Sequence, residues 1–179
     1  MAEVVKPRIW RNRALYLGLA FLLVFERLLP LGELSGRLPG PDLILVLTYA
    51  LALRRPDAVP TLLVAGVFLM TDVLFMRPLG LWTACVLLGL EFLRAREPIS
   101  RDQPFLGEWT MVAGTILAVT VLNTGILSIF AVIRPTLGQI LIQMIVTALV
   151  YPAIVVFCSG VLGIMKVSPG AVDPLGNRL

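Results

Sequence analysis

The chain has 179 residues, 58% of them hydrophobic, with a mean hydropathy of +0.93, a net charge of +4 and no histidine. Soluble domains are nearer roughly 45–50% apolar, so a water-soluble fold of this length would leave much apolar surface exposed, which a bilayer removes. The Lys and Arg residues lie between apolar runs and form no one-sided footprint with interleaved aromatics, which argues against nucleic-acid binding.

In chain order, residues 1–13 read as a basic cytoplasmic N-terminus. An apolar run at 14–31 follows. Its end, Leu29-Pro30-Leu31-Gly32-Glu33, is a poor cleavage site, so the run reads as a retained first helix. The next runs fall at 39–53, 58–76, 79–95, 109–131 and 136–165, with residues 166–179 left as a cytoplasmic tail. The fold expected is an all-α integral membrane protein, a bundle of about six transmembrane helices over 14–165. The second run is short and opens on Leu38-Pro39-Gly40-Pro41, which predicts a tilted helix or one that begins as unwound backbone. The longest connection runs from Arg96 to Glu108. Pro152, inside the sixth run, predicts a kink and frees a carbonyl one turn earlier, which a neighbour or a water must satisfy.

Six spans place both termini on one side. That side holds Lys6, Arg8, Arg11, Arg13, Arg54, Arg55, Arg94, Arg96, Arg101, Lys166 and Arg178, against Arg37, Arg77 and Arg134 opposite. Both termini are therefore expected in the cytoplasm.

This topology brings Glu26, Arg27, Asp42, Asp72, Arg77 and Arg134 toward one outer level. An acid inside an apolar run is costly without a partner, which singles out Asp72. Two readings stand: an ion-pair network that orders helix ends, or a site for a partner's helix or a small polar ligand. Asp42, after Pro41, also suits a helix N-cap, and Arg27 and Arg77 suit snorkelling to headgroups. Glu91 and Arg94 share a helix face and are expected to pair locally. Gly114 and Ala118 have small-xxx-small spacing, and Gly160 and Gly163 thin one face of the last helix; all four are expected to serve packing within the bundle. Trp10, Trp82 and Trp109 stand near run ends, where interfacial anchors belong. Asn123-Thr124, within the fifth run, suits hydrogen bonding to a neighbouring helix.

Cys85 and Cys158 lie in apolar runs and read as buried small hydrophobes. No metal site, cofactor or catalytic residue is expected. There is no histidine for acid–base work and no phosphate-binding loop, and Ser128 and Ser159 have no evident base.

Pro41-Asp42 opens the second run, Arg54-Arg55-Pro56 closes it, and Asp72 precedes Pro78-Leu79-Gly80. In that order and spacing the chain resembles the MreD family of bacterial rod-shape-determining inner-membrane proteins. The resemblance implies a six-helix bundle similar to the substrate-binding subunits of energy-coupling-factor transporters. It also implies a non-enzymatic scaffold of the cell-elongation machinery that binds MreC, works indirectly with MreB, RodA and a class B penicillin-binding protein, and helps organise peptidoglycan synthesis. On that reading Asp42 and Asp72 hold the bundle or dock MreC. The alternative is a small-molecule-binding subunit of a vitamin-type transporter, favoured by the Gly/Pro-interrupted second run.

Overall fold

A computed structural model describes residues 5–29, 39–101, 103–130 and 136–160. Those residues form six α-helices and no strand: α1 (Val5–Leu28), α2 (Leu43–Arg54), α3 (Thr61–Leu74), α4 (Leu81–Arg101), α5 (Phe105–Ile129) and α6 (Leu137–Gly160). A 3-10 turn, Pro56–Ala58, joins α2 to α3. Two helices, α5 and α6, are long and apolar enough to cross a membrane. At 1.5 Å per residue, α2 and α3 are only about 18 and 21 Å long.

Hydropathy marks the apolar parts of these helices but not their ends. The first helix begins at Val5 rather than at 14, so the boundary at 13 falls inside it. Similarly, α4 runs on to Arg101, and the expected long connection shrinks to residues 102–104. Arg, Glu and Ala are good helix formers, so both helices continue past the point where apolar character stops.

The core is built around α2. Every residue from Ile44 to Arg54 is buried, as befits a helix that is apolar on all sides. Its neighbours are α1, α4 and α6; α3 lies on α4, and α5 bridges α4 and α6. Successive helices run in opposite directions. Thus Arg27 at the end of α1 meets Asp42 at the start of α2, and Thr61 at the start of α3 meets Arg94 near the end of α4. The bundle therefore has one end where α2, α4 and α6 begin, and an opposite end where they finish.

Gly89 marks a close approach between helices. A Cβ there would collide with the Tyr49 hydroxyl and lie 2.9 Å from Val119 Cγ2 and 3.0 Å from Thr115 Cγ2. That hydroxyl donates to the Val86 carbonyl at 3.2 Å, so α2 is pinned to α4 through the gap. Gly114 and Gly160, by contrast, have nothing within 4 Å of an added Cβ, and Ala118 is exposed. Small-residue spacing finds a thin helix face without revealing which way it points; the expected internal packing role of these three is not what the fold shows. Gly163 lies outside the described residues. Gly89→Ala is expected to cost about 1–3 kcal/mol through overpacking. Gly114→Ala, in open space on a helix, should be neutral or gain up to about 1 kcal/mol. Unfolding midpoints of the two variants in dodecyl maltoside check this; equal shifts would contradict it.

The carbonyl freed by Pro152 is that of Ala148, one turn earlier, and the Trp109 indole donates to it at 2.8 Å. Trp109 is thus a tie between α5 and α6 rather than an interfacial anchor. Trp109→Phe should cost about 1–3 kcal/mol by leaving that carbonyl unpaired. The cost should be largely absent in a Pro152→Ala background, where a backbone N–H can take the carbonyl. A double-mutant cycle on unfolding free energy reads the coupling, and additive losses would refute it.

Candidate functional site

Two aspartates organise the end where α2, α4 and α6 begin. Asp42 is the N-cap of α2, and its Oδ1 accepts from the Leu45 amide at 3.2 Å. Its own amide donates to Thr147 Oγ1 of α6 at 3.0 Å, and Arg27 Nη1 lies 3.6 Å from its Oδ2. One residue thereby joins α1, α2 and α6. The capping role foreseen for Asp42 is realised, together with an ion pair to a half-buried Arg27.

Asp72 does the same for α4 from outside it. The residue before that helix is Gly80, whose φ of +80° suits a residue without a Cβ but leaves the helix start without a capping side chain. Asp72 Oδ2 supplies the acceptor, taking the Gly80 amide at 3.1 Å, the Thr83 amide at 3.3 Å and the Thr83 hydroxyl at 2.8 Å. Thr83 is at the third helical position, whose amide a capping side chain normally takes. The carboxylate is fully buried and has no ion-pair partner among the described residues. The positive end of α4 offsets its charge. The Arg77-Pro78-Leu79-Gly80 turn is thus folded around Asp72, with the Arg77 amide donating to the Asp72 carbonyl at 2.9 Å.

The six-residue charge cluster is therefore only partly assembled. Arg27, Asp42 and Arg77 share one neighbourhood, with both guanidiniums against the Phe75 ring at 5.1 and 5.6 Å from its centroid. Asp72 serves a separate purpose, Glu26 is exposed and has no ion-pair partner among the described residues, and Arg134 lies outside them. Arg77 is drawn inward instead of snorkelling. It also stacks on Trp82, 5.4 Å from that ring, and burial pulls its pKa down while Asp42 opposes the shift.

Beside this group is a cavity of about 330 Å³ between α2, α4, α5 and α6. Arg77, Trp82, Asn123, Gln143 and Thr147 contribute its polar wall, and Asp42 borders it. Trp82 is 9% exposed, and its indole N–H has no acceptor among the described residues, so it is a cavity wall and not an anchor. Of the three tryptophans, only Trp10 is freely exposed. Asn123 and Thr124 line the same space.

The opposite end holds a constellation that reading the sequence missed. Arg54 Nη2 donates to Glu108 Oε1 at 3.1 Å, and the Tyr151 hydroxyl donates to the same oxygen at 2.6 Å. All three are buried, Glu108 being 1% exposed, and they join α2, α5 and α6. By sequence, Arg54 is a flanking cation and Glu108 the end of a connection. The available signal was Glu108 directly ahead of an apolar run, at the same level as Arg54. Nearby, the expected Glu91–Arg94 pair is present at 2.7 Å, and both residues also engage Thr61 of α3.

On the outside, α4 and α5 leave an apolar groove of about 420 Å³ lined by Leu88, Phe92, Met111, Gly114, Ala118 and Leu122. Both small residues of the small-xxx-small pair face it. No metal-binding group of three or more acidic, Cys or His residues occurs among the described residues. No family model, curated protein or solved structure matches the chain.

Proposed function

We propose that this chain is a six-span protein of the bacterial inner membrane, with both termini cytoplasmic. Its role is that of a non-enzymatic scaffold of the MreD type that receives the single membrane helix of MreC. Through that partner it acts with MreB, RodA and a class B penicillin-binding protein in organising peptidoglycan synthesis and cell shape.

The outward groove between α4 and α5 carries the reading. Gly114 has open space where other side chains would stand, and Ala118 lies one turn further on, so an incoming helix can approach the backbone closely. Large apolar side chains are exposed around the bundle, among them Phe21 at 66%, Leu62 at 87%, Val121 at 60% and Val156 at 68%. Surfaces of that kind belong against lipid or another protein. The acids considered as docking sites, Asp42 and Asp72, are instead engaged in holding helix starts.

The test is affinity purification from the protein's own membranes in mild detergent, wild type beside the double variant Gly114→Leu/Ala118→Leu. The reading expects a single-span partner with the wild type and at least a tenfold lower yield of it with the double variant, at unchanged unfolding midpoint. Equal partner recovery from both proteins would refute the groove, and recovery of ATP-binding subunits would refute the scaffold.

A further inference from the structure

The cavity beside Arg77 is not used by the scaffold reading, and its chemistry is one-sided. Arg77 stacks on Phe75 and Trp82 but makes no hydrogen bond or ion pair through its guanidinium among the described residues. Stacking uses the faces of that group and leaves the N–H donors at its edge for an acceptor lying in its plane. The Trp82 indole N–H, on a side chain more than nine-tenths buried, is a second donor without an acceptor on the same wall. Asn123 and Gln143 add amides from α5 and α6.

Charge points the same way. At this level Arg27 and Arg77 share a single cavity-bordering carboxylate, Asp42, which is already committed to the Leu45 amide and to Arg27. The Asp72 carboxylate does not border the cavity: its Oδ2 is taken up by the start of α4, while its buried Oδ1 has no hydrogen-bond partner among the described residues and its charge also acts on Arg77. Apart from Thr120 and Thr124, the remainder of the wall is apolar and includes Ile116, Leu127 and Met144. A volume of about 330 Å³ falls at the small end of the range, roughly 300–1,000 Å³, that encloses small ligands.

We propose that this cavity binds an anionic group, a phosphate or carboxylate, carried on a short apolar body, with Arg77 and the Trp82 indole as its donors. The anion satisfies the buried Trp82 N–H and the half-buried Arg77 guanidinium, neither of which has an acceptor among the described residues, and the apolar body covers the Ile116–Met144 side. Such chemistry is offered both by a water-soluble amphiphile and by the headgroup region of an anionic lipid. The site is independent of the α4–α5 groove and stands or falls separately.

The test uses the full chain in phosphatidylcholine nanodiscs, titrated with hexyl phosphate and, as a neutral control, hexanol. A parallel set of nanodiscs contains phosphatidylglycerol. The unfolding midpoint reads binding. Hexyl phosphate should raise the midpoint saturably, hexanol should not, and Arg77→Gln should weaken the apparent affinity at least tenfold. Protection by phosphatidylglycerol that is lost in Arg77→Gln, without an effect of hexyl phosphate, would support the site and identify a lipid as its source. Because Arg77 stands in a structured turn, Gln143→Leu, which replaces a wall amide on α6 by an apolar side chain of similar volume, provides a second variant and should reduce the shift. Equal protection by hexanol, an unchanged response in Gln143→Leu, or no response to either anion would overturn the proposal.

Discussion

Glu108→Ala is expected to destabilise the bundle by about 3–5 kcal/mol, the largest effect of any single substitution considered. The Arg54 guanidinium, 9% exposed, would lose its ion-pair partner among the described residues while remaining enclosed by α2, α5 and α6. The Tyr151 hydroxyl would lose its acceptor at the same time. Tyr151→Phe removes one hydrogen bond without stranding a charge and should cost about 1–2 kcal/mol. Replacing the charges together, Arg54→Met with Glu108→Leu, should recover most of the loss, because removing both members of a buried pair is often neutral or stabilising. Unfolding in detergent, read by circular dichroism against increasing denaturant, gives all three values. A double variant less stable than Glu108→Ala alone would show that the pair is not what the cost reports.

Asp72→Ala is the second large effect, about 2–4 kcal/mol. It strands the Gly80 amide, the Thr83 amide and the Thr83 hydroxyl at the start of α4. Asp72→Asn keeps an acceptor oxygen and should lose less than half as much, since Asn caps helices nearly as well as Asp. The comparison separates two roles that the sequence leaves open. A residue that caps a helix loses stability in the alanine variant, and partner binding fails only as far as folding does. A residue at a partner contact would leave the midpoint unchanged and lose the partner, which would contradict the capping role.

How much of this was legible beforehand depends on the scale of the question. Six apolar runs anticipate six helices because long apolar stretches have little alternative to helical burial. The ends of α1 and α4 were misjudged because helix propensity continues into polar sequence such as Arg94–Glu97. Asp42 announced itself through its position after Pro41 and before an apolar run. The partner of Asp72 could not be read, because its acceptor role spans eight residues to a glycine whose helix start has no side chain of its own. Gly89 was overlooked for a related reason: a close approach depends on what stands opposite, here Tyr49, and that is a property of packing rather than spacing. The Arg54–Glu108–Tyr151 clasp joins residues 54 and 43 positions apart, respectively from Arg54 to Glu108 and from Glu108 to Tyr151. Only the fold brings them together. Pro152 is the opposite case, since the need for a donor was evident from proline chemistry alone and Trp109 supplied it.

Residues that hold the bundle are distinct from the surface proposed to meet a partner. Interior polar groups tie helix ends, while the thin face of α5 at Gly114 and Ala118 looks outward. Site-directed photo-crosslinking in native membranes tests that separation most directly, with the crosslinking residue placed in the groove at Leu88, Ala118 or Leu122 and, for comparison, on α6 at Val156. The account predicts an adduct with one single-span membrane protein from the groove positions and none from Val156. Adducts with that protein from Val156 alone, or no protein adduct from any groove position, would contradict it.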